Sequence, residues 1–343
     1  MRWFVTGGAG FIGANTVRRL LDDGHEVIVY DNLSRPGSEK NLEWLRQRGD
    51  GLTFLRGDVR QAEAVRLALA TLGPVDIVLH FAAQVAVTTS VTDPRLDFDI
   101  NAHGTFNLLE AIRSLGLDPV VLFTSTNKVY GALEEHNVVA KGSRYVFERL
   151  PRGVDEAAGL DFYSPYGCSK GAADQYVHDY HRIYGMQTIV FRNSCIYGPR
   201  QFGIEDQGWL AWFVIAAILG RPITIYGDGR QVRDVLFVED LIDAMLGAVD
   251  KPDVTAGQVY NIGGGPDNAL AVWTEFGPLL EKLIGRPVPV EHADWRPGDQ
   301  KVYISDVSKA ERHFGWRPKV GVEEGIGRLV DWVRENRQLF EPS

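Results

Sequence analysis

Four glycines fall within residues 7–13, between the strand-like run Arg2–Val5 and the helix-like stretch Ala14–Asp23. Gly7, Gly10 and Gly13 have GxxGxxG spacing, and Gly8, Gly10 and Gly13 fit GxGxxG, with Phe11 and Ile12 inside the turn. Glycines in that place meet three demands: a tight turn out of a strand, close approach of backbone to a pyrophosphate, and close packing of the helix on the strand. The helix that follows aims its free N–H groups and positive dipole end at the phosphates. The next strand-like run, Glu26–Tyr30, leads into Asp31, 18 residues beyond Gly13. A carboxylate there accepts hydrogen bonds from an adenosine ribose diol and repels a 2′-phosphate, which selects NAD over NADP. Arg35 points the other way, because a nearby arginine could pair with that phosphate.

The pattern continues along the chain. Leu52–Arg56, Ile77–His80, Val120–Thr124 and Gln187–Arg192 read as strands, and Glu63–Leu72, Gly104–Ser114 and Lys170–Tyr184 as helices. The strands do not alternate apolar with polar residues, so both faces are buried, as in a parallel sheet covered by helices on each side. Beyond Arg192, Pro and Gly become frequent, with a strand-to-helix unit at Asp234–Val249 and a strand at Gln258–Ile262. The expected fold is α/β, a doubly wound parallel-sheet Rossmann domain with a smaller, discontinuous substrate domain. Residues 1–192 would form the NAD-binding part, with 232–262 returning to it; 193–231 and 263–343 would bind substrate. The long segment Ala132–Ser164 mixes charge with Tyr145 and Phe147. Loops of this length are commonly functional, and a flap over the site is expected.

Composition narrows the function classes. Hydrophobic residues make up 45% and charged residues 24%, ordinary for a globular core. A net charge of −9 repels nucleic acid and anionic membranes, though a few local arginines can still hold a small phosphate. No run approaches the ~20 apolar residues of a membrane span. Strand-like residues begin at Trp3, so no secretory leader is expected. Cys168 and Cys195 are the two cysteines and form no CxxC, which disfavours a metal or disulfide framework and suits a reducing, cytoplasmic setting.

Two further clusters carry chemistry. Tyr166 and Lys170 form a YxxxK, one helical turn apart on one face. An ammonium near a phenol favours the phenolate, lowering a pKa of ~10 towards working pH. The tyrosine then serves as base for a hydroxyl and as acid on the return. Upstream, the strand ending at Thr124 is followed by Ser125 and Thr126. Hydroxyls at the C-terminal end of a parallel strand lie where this architecture binds ligands.

With Gly57-Asp58-Val59, His80-Phe81-Ala82-Ala83, Asn101, STNKVYG, YGCSK, YGPRQ, GDGRQVRD and Arg296-Pro297-Gly298-Asp299, the chain resembles the extended short-chain dehydrogenase/reductase family along nearly its whole length. That family includes nucleotide-sugar epimerases, dehydratases and decarboxylases. The resemblance implies Thr126, Tyr166 and Lys170 as catalytic residues, with Ser125 beside them. It places Asn32, Ser34 and Asp58 with Val59 around the adenosine. Phe81, Ala82, Ala83, Asn101, Thr124, Lys170 and Asn193 would line the rest of the cofactor channel.

The family's 4,6-dehydratases carry an Asp-Glu pair after the threonine. Here Asn127 and Lys128 stand there, and neither does carboxylate acid/base work. Epimerisation is therefore expected. The runs Gln84–Ser90, Ser164–Tyr176 and Asp206–Trp209 are similar to the family's 2-epimerases acting on CDP-sugars, which implies inversion at C2; a 4-epimerase acting on a UDP- or GDP-sugar is the alternative. Substrate contacts implied are Val85, Thr126, Asn127, Gln207 and Trp209, with Arg233 and Arg296 as diphosphate clamps and Asp299 on the nucleoside ribose. Cys195 stands where relatives often carry Asn. The family's helix pairing implies a homodimer or homotetramer, with Val177, Tyr180 and Ile183 as candidate contacts.

Overall fold

The computed structural model describes residues 1–296 and 300–340. Seven strands form one sheet in the order Gln258–Ile262, Thr188–Asn193, Val120–Thr126, Ile77–His80, Arg2–Thr6, Glu26–Asp31, Leu52–Arg56, with every pairing parallel. Alternate side chains serve opposite faces. Trp3, Val5, Val29, Leu79 and Leu122 join one core with helices Phe11–Asp22 and Val238–Val249. Phe4, Ile28, Val78 and Phe123 join another with helices Ala62–Leu72, Gly104–Ser114 and Ser164–Tyr184. The strand order reverses between Arg2–Thr6 and Ile77–His80, and the crevice above such a switch point is where open α/β sheets bind ligands.

The 232–262 segment returns to this sheet only in part. Gln258–Ile262 forms its edge, and helix Val238–Val249 packs on its core. Val232–Phe237, by contrast, pairs with Cys195–Tyr197, Ala269–Ala271 and Val302–Tyr303 in a second sheet. Its side chains divide among three cores, Leu236 joining that of the seven-stranded sheet, Val232 packing with Tyr303, and Val235 with Phe213 and Phe276.

The 132–164 segment is not a flap. Val138–Lys141 and Arg144–Phe147 form an antiparallel hairpin. Arg144 Nε donates to Glu275 at 2.7 Å, Tyr145 OH to Asp228 at 2.7 Å, and Val154 N to the Ile304 carbonyl at 2.8 Å. Phe147 and Tyr145 pack beside Val232 and Tyr303, which fixes the hairpin to the second sheet.

No helix among the described residues is long and apolar enough to cross a membrane. The most apolar, Trp209–Leu219, has 11 residues and packs against helix Val322–Glu335.

Candidate active site

The glycine turn has the geometry its spacing demands. Gly7 lies at φ +68°, and a Cβ there would stand 2.6 Å from Ala82 N. A Cβ on Gly13 would stand 2.2 Å from the Gly7 carbonyl oxygen. Gly10 caps helix Phe11–Asp22 with no side chain over the first turn, so that turn's orphan N–H groups stay available to an anion. Asp31 holds the turn from the next strand, accepting from Ala9 N at 3.0 Å and Leu33 N at 2.8 Å. Burial pushes its pKa up and these bonds oppose the rise. Beside it, Asn32 donates to Asp58 at 3.1 Å, and Arg60 pairs with Asp58 at 2.7 Å. The Arg60 hydrogen bonds hold the Asp58 carboxyl down to about 2.

Strand Val120–Thr126 carries Thr124, Ser125 and Thr126 to the same end of the sheet. Helix Ser164–Tyr184 begins earlier than the sequence pattern suggests. Pro165 occupies its first turn, and Ser164 Oγ accepts from Gly167 N at 3.2 Å. Tyr166 and Lys170 thus share one wall. Lys170 is 3% exposed; its Nζ donates to the Thr124 carbonyl at 2.6 Å and lies 4.1 Å from the Phe123 ring centroid. Burial lowers the lysine to about 7, against the nearby Asp174 and Asp97 carboxylates.

The expected lowering of the tyrosine is not found. Burial pushes Tyr166 up to about 12, with Asp97 in the same direction and Thr126 and Arg35 opposing. Lys170 Nζ is turned to a backbone carbonyl, and the groups that oppose the rise are Thr126 and Arg35.

A cleft of about 380 Å³ joins these parts. It is lined by Gly7, Gly10, Phe11, Ile12, Gly13 and Arg35 from the glycine turn and the loop beyond Asp31, by Phe81, Ala83, Val85, Thr124, Ser125, Thr126, Asn127, Tyr166, Lys170 and Asn193 from the sheet and the YxxxK helix, and by Cys195, Gln207 and Trp209 from the later part of the chain. Four cations, Arg35, Lys128, Lys170 and Arg200, face one carboxylate, Asp206, in a chain of net charge −9. Ser125 Oγ, Asn193 Oδ1 and Gln201 Oε1 are buried here without a partner. The glycine cradle and these unused polar groups fit a dinucleotide with a second polar ligand beside it.

Other expected residues lie elsewhere. Asp31, Asn32, Ser34, Asp58, Val59 and Ala82 form the rim and backing of the glycine end without lining the cleft. Asn101 is buried behind it, joined to Gln84 by two hydrogen bonds. Arg233 is buried on its strand, donating to the Val232 carbonyl at 2.8 Å. Arg296 pairs with Asp206 at 3.1 Å and covers the Tyr226 ring. Asp299 lies outside the described residues. Arg35 does not face Asp31 or Asp58; its guanidinium crosses to Gln207 Oε1 at 2.6 Å.

Sequence reasoning missed Arg200, Gln201, Phe202 and Val87 in the lining. Arg200 stood within the YGPRQ run, but its place against the Trp44 ring, 4.3 Å away, depends on distant sequence. It also missed the buried Asp97.

Residues 3–263 match the model of the NAD dependent epimerase/dehydratase family. The chain belongs to that family. It is 42% identical over 97% of its length to the CDP-paratose 2-epimerase of Salmonella typhi, 99% of which is covered. Among solved structures it is similar to the Thermotoga maritima UDP-glucose 4-epimerase with UDP-glucose, at 32% identity and TM-score 0.84, covering 98% of this chain and 100% of that one. It is equally similar to DesIV, a dTDP-glucose 4,6-dehydratase of Streptomyces venezuelae with NAD bound, at 32% identity and TM-score 0.85, covering 100% and 99%. Family membership makes the chain an NAD-dependent enzyme and accounts for the glycine cradle with Asp31 beside it.

Proposed function

We propose that the enzyme epimerises a nucleotide sugar at C2, of the CDP-paratose to CDP-tyvelose type. The observation that carries this reading is the wall opposite the glycine turn. Tyr166, Lys170 and Thr126 stand together, while the next two residues are Asn127 and Lys128. A hydroxyl can be deprotonated there, but no carboxylate pair follows to expel water from the sugar. The likeness to the Salmonella typhi enzyme supports C2 over C4.

NAD, when bound, supplies the hydride acceptor for the first half of the reaction and the donor for the second. Gly7, Gly10, Gly13 and Asp31 would hold its adenosine diphosphate half, and Lys170 its nicotinamide ribose. Tyr166, as phenolate, takes the proton of the C2 hydroxyl. Thr126 and Ser125 hydrogen-bond the same oxygen. The 2-keto sugar presents its other face, and Tyr166 returns the proton. Arg233 and Arg296, which do not line the cleft as it stands, would clamp the diphosphate while the sugar turns, and Gln207, Trp209 and Cys195 face the rest of the substrate. The cationic lining suits an anionic nucleotide. On this reading the 1–192 part with strand Gln258–Ile262 carries the cofactor, and the second sheet with helices Trp209–Leu219 and Val322–Glu335 carries the sugar nucleotide.

The enzyme assembles as a homodimer or a tetramer built from it. Val177 and Tyr180 are core residues, 1% and 5% exposed, and make no such interface. Phe106, Tyr176, Ile183 and Tyr184 are exposed on helices Gly104–Ser114 and Ser164–Tyr184, where such a patch suits a twin.

Tyr166→Phe tests the chemistry. Lost turnover with NAD still bound is expected; undiminished turnover refutes the role given to the phenol.

A further inference from the structure

Behind the Tyr166–Lys170 wall lies a carboxylate that the mechanism above does not use. Asp97, from the short helix Pro94–Phe98, is 1% exposed. Its Oδ2 accepts from Ser169 Oγ at 2.5 Å and its Oδ1 from Asn101 Nδ2 at 3.1 Å. Among the described residues no cation lies within ion-pair distance of it. A buried carboxylate without a counter-ion is costly, and cores rarely keep one.

The surroundings show what it answers to. Ser169 immediately precedes Lys170, and its one proton goes to Asp97, since the competing Tyr166 carbonyl is 3.2 Å away. Asn101 Nδ2 also donates to the Gln84 carbonyl, and Asn101 Oδ1 accepts from Gln84 N, at the start of the segment whose Val85 and Val87 line the cleft. Asp97 therefore ties the helical turn bearing both catalytic side chains to the facing wall.

The charged and titratable groups that bear on Lys170 are few. His80, from the adjacent strand, is held neutral by burial and by the charge of Lys170 itself, and its ring nitrogens bond Thr6 and Thr105. On the lysine's own helix lie Tyr166 and Asp174. Asp174 acts on Lys170 more strongly than Asp97 does. However, it is committed to Arg192 through two 2.9 Å bonds, so that pair is internally neutralised. Asp97 has no such partner.

We propose that Asp97 is a positioning residue of the catalytic pair: through Ser169 it fixes the turn that carries Lys170 and Tyr166, and its buried carboxylate, beyond ion-pair distance of the Lys170 ammonium, acts on it as an un-neutralised negative charge. This rests on Tyr166 and Lys170 being the catalytic pair. Removing a neighbouring negative charge lowers a lysine's pKa, so the ammonium is lost at lower pH.

The test is the pH profile of kcat/KM for Asp97→Asn, Asp97→Glu and Ser169→Ala, with CDP-paratose, or UDP-glucose if that is the sugar turned over. In Asp97→Asn the alkaline limb should move down by roughly one pH unit, a loss of about tenfold above the limb, with NAD still bound. Asp97→Glu and Ser169→Ala keep the charge but disturb the clamp. They should lower kcat and leave the limb in place. An unmoved limb in Asp97→Asn, or one that moves as far in either of the other two, overturns the proposal. Should Asp97→Asn fail to fold, a limb displaced in Asp97→Glu still overturns it. Tyr166→Phe separates the two readings: if it stays active the catalytic pair itself is wrong, and if it is dead while the Asp97→Asn limb is unmoved, only this inference fails.

Discussion

Gly13→Ala and Gly10→Ala should part company, although the two glycines sit one helical turn apart. A Cβ at Gly13 meets only backbone: the Gly7 oxygen at 2.2 Å, Gly8 Cα at 2.6 Å and Gly8 C at 2.9 Å. None of these can move without dragging the strand-to-helix turn away from its seat on Ala82. Overpacking of this kind costs about 3 kcal/mol or more, a fall of roughly 6 °C in Tm for a chain of this size. A Cβ at Gly10 meets one atom, the Gly7 oxygen at 3.2 Å, and otherwise open space on the side where the helix N-terminus faces the cleft. Its cost to folding should stay within about 1 kcal/mol. It should instead displace a phosphate from one or two charge-assisted bonds of about 1.5–3 kcal/mol each, weakening NAD at least tenfold. Thermal melts of the NAD-stripped proteins, paired with calorimetric titration of NAD, measure both quantities. Equal melting temperatures for Gly13→Ala and wild type, or undiminished NAD affinity in Gly10→Ala, would refute this assignment of the two glycines.

Asp31→Ser should loosen the glycine turn by removing the acceptor of Ala9 N and Leu33 N, and should narrow the preference for NAD over NADP in competition titrations. His80 governs part of the acid limb of stability. Burial lowers its pKa in the fold from 6.5 to about 3. The unfolded chain therefore binds an extra proton between those values, and stability falls as pH drops through that window. His80→Gln should show a shallower loss of stability over the same range in denaturant titrations. Ile183→Asp, at a position 65% exposed, should shift sedimentation towards monomer while leaving the melting temperature of the isolated subunit unchanged.

Much of this fold was legible because its signals are local. The glycine turn, Asp31 and the YxxxK each owe their meaning to neighbours within about one or two elements, and the uninterrupted apolar runs marked a sheet buried on both faces. What long-range contacts decide was not legible. The 132–164 segment looked like a flap because its anchor, Glu275, lies 131 residues beyond Arg144. Gly167, Cys168 and Ser169 are poor helix formers and hide the first turn of the helix that carries the catalytic pair, which Ser164 and Pro165 start. Asp97 and Ser169 are 72 residues apart, with no pattern to join them. Periodicity placed Val177, Tyr180 and Ile183 on one face, but could not say that the first two turn into the subunit's own core.

The most direct test of the account is to follow CDP-paratose by proton NMR in deuterated buffer with the purified enzyme and no added cofactor. Inversion at C2 with the C2 proton retained is the predicted result, because the hydride is stored within the enzyme and never exchanges with solvent. Deuterium at the inverted carbon would contradict the mechanism. Inversion at C4, or turnover confined to UDP- or GDP-sugars, would leave the fold and catalytic pair in place and contradict the C2 assignment.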